Sequence, residues 1–349
     1  MNQSILLFLL GCAPTDTDGD RAVTIDSGVV RDSGVEQDTD EQDTDEQDSD
    51  GEVVSCLEAG DYDEVVVIDG FTHRFRLHVP PDLTADAPLV VQLHGGGSDG
   101  AAMEVVSTLS AQGDVQGYLT LTPEGWEVPL NGSQVWNAGA CCGPTDQQPD
   151  HVHAVREMIG LAEEMGACID RTRVFATGHS NGGMMTYRLA CEASDLFSAV
   201  AVSAGALVSE DLSGAPVTVF TCAPERPVSI LHVHGLEDGC VPFEGGTSEA
   251  TGNTTLPIDA VMARWRAINR CAADADESGD DVVQRRAWSC ADDASVALIT
   301  VEGLGHAWAG SPIYGNPERC GGATTDAVST TQEAWRFFQA HPRSAVAGQ

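Results

Sequence analysis

Gly178-His179-Ser180-Asn181-Gly182 reads G-x-S-x-G, with a β-branched and aromatic run, Arg173 to Thr177, before it and helix formers, Gly183 to Ala190, after it. A serine at a sharp turn between strand and helix is held in a strained backbone that projects its hydroxyl into solvent. Small residues two before and two after it let the helix fold back on the strand. A hydroxyl is a weak nucleophile until a base takes its proton, and that base must itself be oriented by a carboxylate.

Two later segments offer those partners in the order serine, acid, histidine. Val228 to Val233 is an apolar strand followed by His234-Gly235-Leu236-Glu237-Asp238. Val296 to Val301 is another, followed by Gly303-Leu304-Gly305-His306. Both are loops after strands, where groups that act on substrate collect in doubly wound sheets. Asp238 is therefore the expected orienting acid, Glu237 its fallback, and His306 the expected general base. An oxyanion formed at an attacked carbonyl needs preorganised donors. The N–H of Asn181, at a helix start, is one expected donor. The other should be Gly95 or Gly96, in His94-Gly95-Gly96-Gly97 directly after the run Leu89 to Leu93. His94 and His234 are read as structural hydrogen bonders, and Asp150-His151 as the start of a helix.

The elements that must position these groups alternate. Strands are expected at Arg74 to Val79, Leu89 to Leu93, Tyr118 to Thr122, Arg173 to Thr177, Ala199 to Val202, Val228 to Val233 and Val296 to Val301. Helices are expected at Ala101 to Gln112, His151 to Met165, Gly183 to Ala190, Pro257 to Ile268 and Thr330 to Phe338. Continuous apolar strands alternating with helices imply an α/β fold, a doubly wound, mostly parallel sheet with helices on both faces. No interval is long enough for a large lid domain, so the site should be open.

Residues 53–343 make the expected catalytic domain. Ahead of it, Ile5 to Leu10 is too short an apolar run to span a membrane as a helix. It ends in Leu9-Leu10-Gly11-Cys12, which resembles a bacterial lipoprotein signal: residues 1–11 would be removed and Cys12 lipidated. Residues 12–52 are rich in Asp and Glu with no aromatic residue. They cannot bury enough apolar surface to fold, so they read as an acidic, disordered tether. Export to the cell surface or beyond follows, with the lipid on Cys12 the expected membrane attachment. The net charge of −37 argues against nucleic acid and against anionic membrane surfaces.

Beyond Cys12 ten cysteines remain, an even set that reads as disulfides in an exported chain. Cys271 with Cys290 and Cys191 with Cys222 are the expected pairs, each closing a short loop between neighbouring elements. No cysteine or histidine cluster has metal-site spacing, so no metal is expected. Trp136 and Trp308 are candidate substrate contacts, because aromatic faces stack on sugars, phenolic acyl groups or polyester chains.

Leu93-His94-Gly95-Gly96-Gly97-Ser98, Trp136-Asn137 with Cys141-Cys142-Gly143, Gly178 to Met184, His234 to Asp238 with Val241 to Gly246, and Gly305-His306-Ala307-Trp308 run in one order. In that order they resemble the polyhydroxybutyrate depolymerase/feruloyl esterase family, from Cys56 onward. The resemblance implies a secreted α/β-hydrolase that cleaves carboxylic esters without a cofactor. Its expected partner is a polymeric or polymer-linked ester, met by a monomer. Two stretches depart from the family pattern: Ala307-Trp308-Ala309-Gly310, where Thr-Trp-Pro-Gly is usual, and Pro149-Asp150-His151-Val152, where a paired aspartate is common. Both bear on substrate choice. A catalytically silent polymer-binding protein on the same scaffold and a serine peptidase are the alternative readings.

Overall fold

The computed structural model describes residues 56–343 except 82, 84–85, 130, 140–147, 209–219, 312 and 314–319. The expected signal segment, the tether with Cys12, and Cys141-Cys142 lie outside the described residues.

Ten strands form one sheet. They are β1 (Gly60–Ile68), β2 (Phe71–Val79), β3 (Ala87–Leu93), β4 (Leu119–Pro123), β7 (Ile169–His179), β8 (Ala199–Ser203), β9 (Ser229–Gly235), β12 (Asp276–Gly279), β13 (Val283–Ser289) and β14 (Ser295–Val301). Two short ladders stand apart from it: β5 (Trp126–Glu127) with β6 (Gln134–Val135), and β10 (Gly246–Thr247) with β11 (Thr254–Thr255). The sheet order is β1-β2-β4-β3-β7-β8-β9-β14-β13-β12. Neighbours from β4 to β14 pair parallel, and the antiparallel pairs lie at the two margins.

The helices are α1 (Gly100–Ser107), α2 (Leu109–Gln116), α3 (His151–Glu164), α4 (Asn181–Glu192), α5 (Ile258–Ile268) and α6 (Thr330–Ala340). Alternation along β3 shows how they cover both faces. Leu89 and Val91 pack into one apolar layer with Val155 of α3, Leu189 of α4 and Trp265 of α5. Val90 faces the other layer, with Met103 of α1, Leu109 of α2 and Phe338 of α6. A strand buried on both sides is apolar at most positions: all seven residues of β3 are buried, and its one polar side chain, Gln92, is bonded to Glu104, Ser107 and Thr122.

Three features depart from the expectation. The single helix over 101–112 is two, because Thr108 takes a left-handed conformation (φ 55°, ψ 22°) between α1 and α2. The edge strand β1 and the marginal strands β12 and β13 were not anticipated. Every residue of β12 is exposed, so it carries no apolar signal.

The structure joins Cys191 to Cys222 and Cys271 to Cys290, the two expected pairs, and adds Cys56–Cys168 and Cys240–Cys320. The register that places the site is simple. Leu93 stands opposite Gly178, His179 opposite Ser203, Ser203 opposite Val233 and Gly235 opposite Val301. The carboxyl ends of β3, β7, β8, β9 and β14 therefore finish level, and the loops that follow them share one rim.

Candidate active site

Ser180 lies between the last residue of β7 and the first of α4, at φ 55°, ψ −119°. That region is sparsely populated for a residue with a Cβ and persists only where the surroundings enforce it. The Ser180 N–H donates to Ser203 O at 2.9 Å, which ties the turn to the end of β8. Glycine is required on both sides. A Cβ on Gly178 would sit 2.4 Å from Gly182 O, and one on Gly182 would sit 2.3 Å from Leu93 O and 2.4 Å from His94 O. The helix returns so close to two strands that no side chain fits.

Asp238 follows β9 with its side chain wholly buried. One carboxylate oxygen accepts the N–H of Cys240 at 2.9 Å and of Val241 at 2.8 Å. The other lies 2.8 Å from His306 Nδ1. His306 follows β14, and its Nε2 lies 2.8 Å from Ser180 Oγ. A carboxylate only accepts, so Nδ1 carries the proton and Nε2 is left to take one from the Ser180 hydroxyl. The His306 side chain retains 11% of its exposure, so the imidazole edge opens to the rim. Burial pushes the Asp238 carboxyl up, but the His306 hydrogen bond, the charges of His306 and His234 and the Val241 N–H outweigh it and hold the group below its usual value. Asp238 is a carboxylate at neutral pH. Glu237, the fallback, is exposed, and the contact to His306 belongs to Asp238.

His179 packs against His306, ring centroids 4.8 Å apart. Burial first, then the charge on His306, push His179 down to about 3, so it stays neutral beside His306.

The glycine loop after β3 lies against the serine. A Cβ on Gly95 would be 3.5 Å from Ser180 Cβ, and one on Gly96 would be 3.4 Å from Asn181 Cβ. Gly97 N–H donates to Gln134 O and Ser98 N–H to Gly95 O. Among the described residues no hydrogen bond uses the Gly95 or Gly96 N–H. Asn181 opens α4, where the helix supplies no acceptor for its N–H. His94 is structural, as expected: Nε2 accepts the Gly125 N–H at 2.9 Å and Nδ1 donates to Gly95 O at 2.8 Å. Asp150 caps α3 through the Val152 and His153 N–H groups, and His151 Nδ1 accepts the Asn137 N–H, so this pair serves the helix start.

Neither tryptophan offers a face to substrate, which corrects the reading of Trp136 and Trp308 as contacts. Trp136 is 1% exposed and Trp308 2%. An indole that large is buried for its apolar area, and its N–H then needs a partner. Trp136 Nε1 donates to His94 O at 2.8 Å, and Trp308 Nε1 to Thr331 Oγ1 at 2.9 Å. Trp136 also clamps Asn181 by its backbone: its N–H donates to Asn181 Oδ1 at 2.7 Å, and its carbonyl accepts from Asn181 Nδ2 at 3.2 Å. It thus rivets the glycine loop to the start of α4, a role that no local sequence signal announces. Among the described residues no group of three His, Cys, Asp or Glu side chains is placed to hold a metal ion.

Residues 79–259, more than half of the chain, match the phospholipase/carboxylesterase family. NocK of Nocardia uniformis subsp. tsuyamanensis, whose assigned name is that of an esterase, is 32% identical over 301 residues, 78% of this chain and 81% of that protein. Feruloyl esterase B of Piromyces equi is 28% identical over 235 residues, 65% of this chain but only 41% of that longer protein. Among solved structures, the acetyl xylan esterase of Aspergillus awamori superposes with a TM-score of 0.52 over 77% of this chain and 94% of its own, at 17% identity, a likeness of fold. With its family matched over more than half its length and a 32% identical relative covered over four-fifths, the chain belongs to the phospholipase/carboxylesterase family of α/β-hydrolases and is a serine hydrolase of carboxylic esters.

Proposed function

We propose that this enzyme cleaves esters carried by polymers, either feruloyl or acetyl groups on plant polysaccharide or the backbone of a polyhydroxyalkanoate, through an acyl-enzyme on Ser180. The observation that carries the mechanism is the pair of 2.8 Å contacts that His306 makes, Nδ1 to Asp238 and Nε2 to Ser180 Oγ.

In the first step His306 Nε2 takes the Ser180 proton as Oγ attacks the ester carbonyl. Asp238 stabilises the imidazolium and keeps Nδ1 facing it. Negative charge on the carbonyl oxygen is met by the Asn181 N–H and by Gly95 or Gly96, fixed dipoles that need no reorganisation at the moment of reaction. His306 then protonates the departing alcohol, which leaves the acyl group on Ser180. A water, deprotonated by the same Nε2, attacks the acyl-enzyme, and Ser180 leaves with the proton returned.

The polymer assignment draws on the feruloyl esterase name of a relative and on the net charge of −37, which favours neutral chains over polyanions. The four disulfides among the described residues fit an oxidising compartment. With a signal at residues 1–11, a lipid on Cys12 and residues 12–52 as a leash, the domain from residue 53 would work just outside the cell. A fluorophosphonate probe and a panel of methyl ferulate, acetylated xylan and polyhydroxybutyrate test the proposal. Labelling at Ser180 with turnover of at least one panel member is expected. Turnover of peptides alone, or none of the panel in an enzyme that hydrolyses p-nitrophenyl acetate, overturns the polymer assignment.

A further inference from the structure

Three buried side chains outside the reacting set form a hydrogen-bonded row that ends on the Val241 carbonyl, beside the acid. Tyr187 stands on α4 two turns beyond Ser180 and is fully buried. Its hydroxyl lies 2.6 Å from His232 Nδ1, and His232 Nε2 lies 2.8 Å from His234 Nδ1. His234 Nε2 lies 2.8 Å from Val241 O and 3.5 Å from Asp238 Oδ2. His232 and His234 are two apart on β9, so they share one face of the strand and stack with centroids 5.1 Å apart.

The protons in this row can point only one way. Val241 O accepts and cannot donate, so His234 carries its proton on Nε2 and accepts at Nδ1. His232 must then donate from Nε2, and its Nδ1 accepts from the Tyr187 hydroxyl. An extra proton on His232 would turn the Tyr187 oxygen from donor to acceptor and deprive its O–H of that partner. Burial lowers His232 well below its ordinary value, and the nearby charge on His234 adds to that. Burial also lowers His234, against the pull of Asp238 and the Val241 carbonyl, and raises the Tyr187 phenol. Every dipole in the row therefore has its positive end toward Asp238.

We propose that Tyr187, His232 and His234 are positioning residues that brace the acid of the triad. The row fixes Val241, whose own N–H binds Asp238 Oδ1, and aims aligned N–H dipoles at Oδ2. Because α4 follows directly on Ser180, the row also ties the nucleophile's helix to the acid's loop through the core. No proton moves along it in turnover. The proposal rests on the reading of Ser180, His306 and Asp238 as the reacting set.

The full-length enzyme and p-nitrophenyl acetate test it. His234→Gln puts an amide N–H near the lost Nε2 and keeps the donor to Val241, whereas His234→Asn reaches only to the Nδ1 position. Tyr187→Phe deletes one hydroxyl and keeps the ring against Trp265. We expect kcat to fall about tenfold in His234→Asn and about threefold in Tyr187→Phe, with KM within about twofold, and His234→Gln to recover most of the loss. Nitrogen-15 spectra of the wild-type imidazoles should show the Nε2–H tautomer at both His232 and His234. Wild-type kcat in His234→Asn or in Tyr187→Phe, equal losses in His234→Asn and His234→Gln, or an Nδ1–H tautomer at His234 would each overturn the proposal. If His234→Asn does not fold, Tyr187→Phe and the wild-type spectra decide it. Ser180→Ala separates the two levels. If that variant still turns over ester, the triad reading fails; if it is dead while the row variants match wild type, only the row does.

Discussion

Cys240, two residues past Asp238, is bonded to Cys320, whose carbonyl accepts the Gly239 N–H at 2.6 Å. The next residues of that segment lie against the histidine loop: a Cβ on Gly305 would sit 2.0 Å from Gly321 O, and the Gly305 N–H donates to Ala323 O at 3.0 Å. The loops of Asp238 and His306 are thus stapled through a third stretch of chain, not merely adjacent. Replacing both cysteines by serine removes a cross-link across 80 residues, worth about 4–5 kcal/mol in the chain-entropy model. We expect a lower Tm by calorimetry. We also expect kcat to fall about tenfold at temperatures where the variant remains folded, because Asp238 and His306 lose their common frame. An unchanged kcat would show that the backbone hydrogen bonds suffice.

Gly182→Ala should be among the most damaging small substitutions in the molecule. Its Cβ would overlap two backbone oxygens of β3 and the glycine loop, which cannot swing away as a side chain can. A loss of about 3 kcal/mol or more in denaturant unfolding is expected, with activity reduced beyond the loss of folded protein.

Stability should decline on the acid side of neutrality. His73, His94, His151, His232 and His234 are buried, and burial lowers each below the ordinary histidine value of 6.5. The unfolded chain takes up protons below that value while the folded chain does not. Stability from these groups is therefore fully present above about pH 6.5 and is lost as pH falls toward their folded values. These losses add as pH falls from 7 to 5. Chemical denaturation at pH 7, 6 and 5 should show a falling midpoint; a midpoint flat over that range would mean that the imidazoles protonate without unfolding.

The two tryptophans should separate by function. Trp136→Phe removes the donor to His94 O beside the glycine loop, so kcat should fall about threefold or more with KM little changed. Trp308→Phe removes only the bond to Thr331, so it should cost about 1 kcal/mol of stability and leave both kinetic constants near wild type. A raised KM for aryl esters in Trp308→Phe would restore that residue as a substrate contact.

Legibility in the sequence followed the range of the interactions. The turn at Ser180 declared itself because strand, glycines and helix are contiguous, and the loops of Asp238 and His306 did so because each follows a strand buried on both faces. Marginal strands with little apolar pattern were missed: β12 is exposed throughout, and β1 alternates only weakly. The helical pattern runs unbroken through Thr108, and nothing in a threonine signals a left-handed turn. Trp136 and Trp308 were misread because burial of an indole is decided by distant partners, Asn181 and His94 for one and Thr331 for the other. The same holds for the row from Tyr187 to His234, whose first hydrogen bond joins residues 45 positions apart.

Ser180 as the atom that carries the acyl group is the point on which the account turns. Acid-quenching the enzyme during turnover of p-nitrophenyl acetate and mapping the acetyl group by peptide mass spectrometry tests it most directly. One acetyl group on the peptide containing Ser180, absent from Ser180→Ala, is the predicted result. Acetyl found on another residue, or turnover persisting in Ser180→Ala at near the wild-type rate, would contradict it.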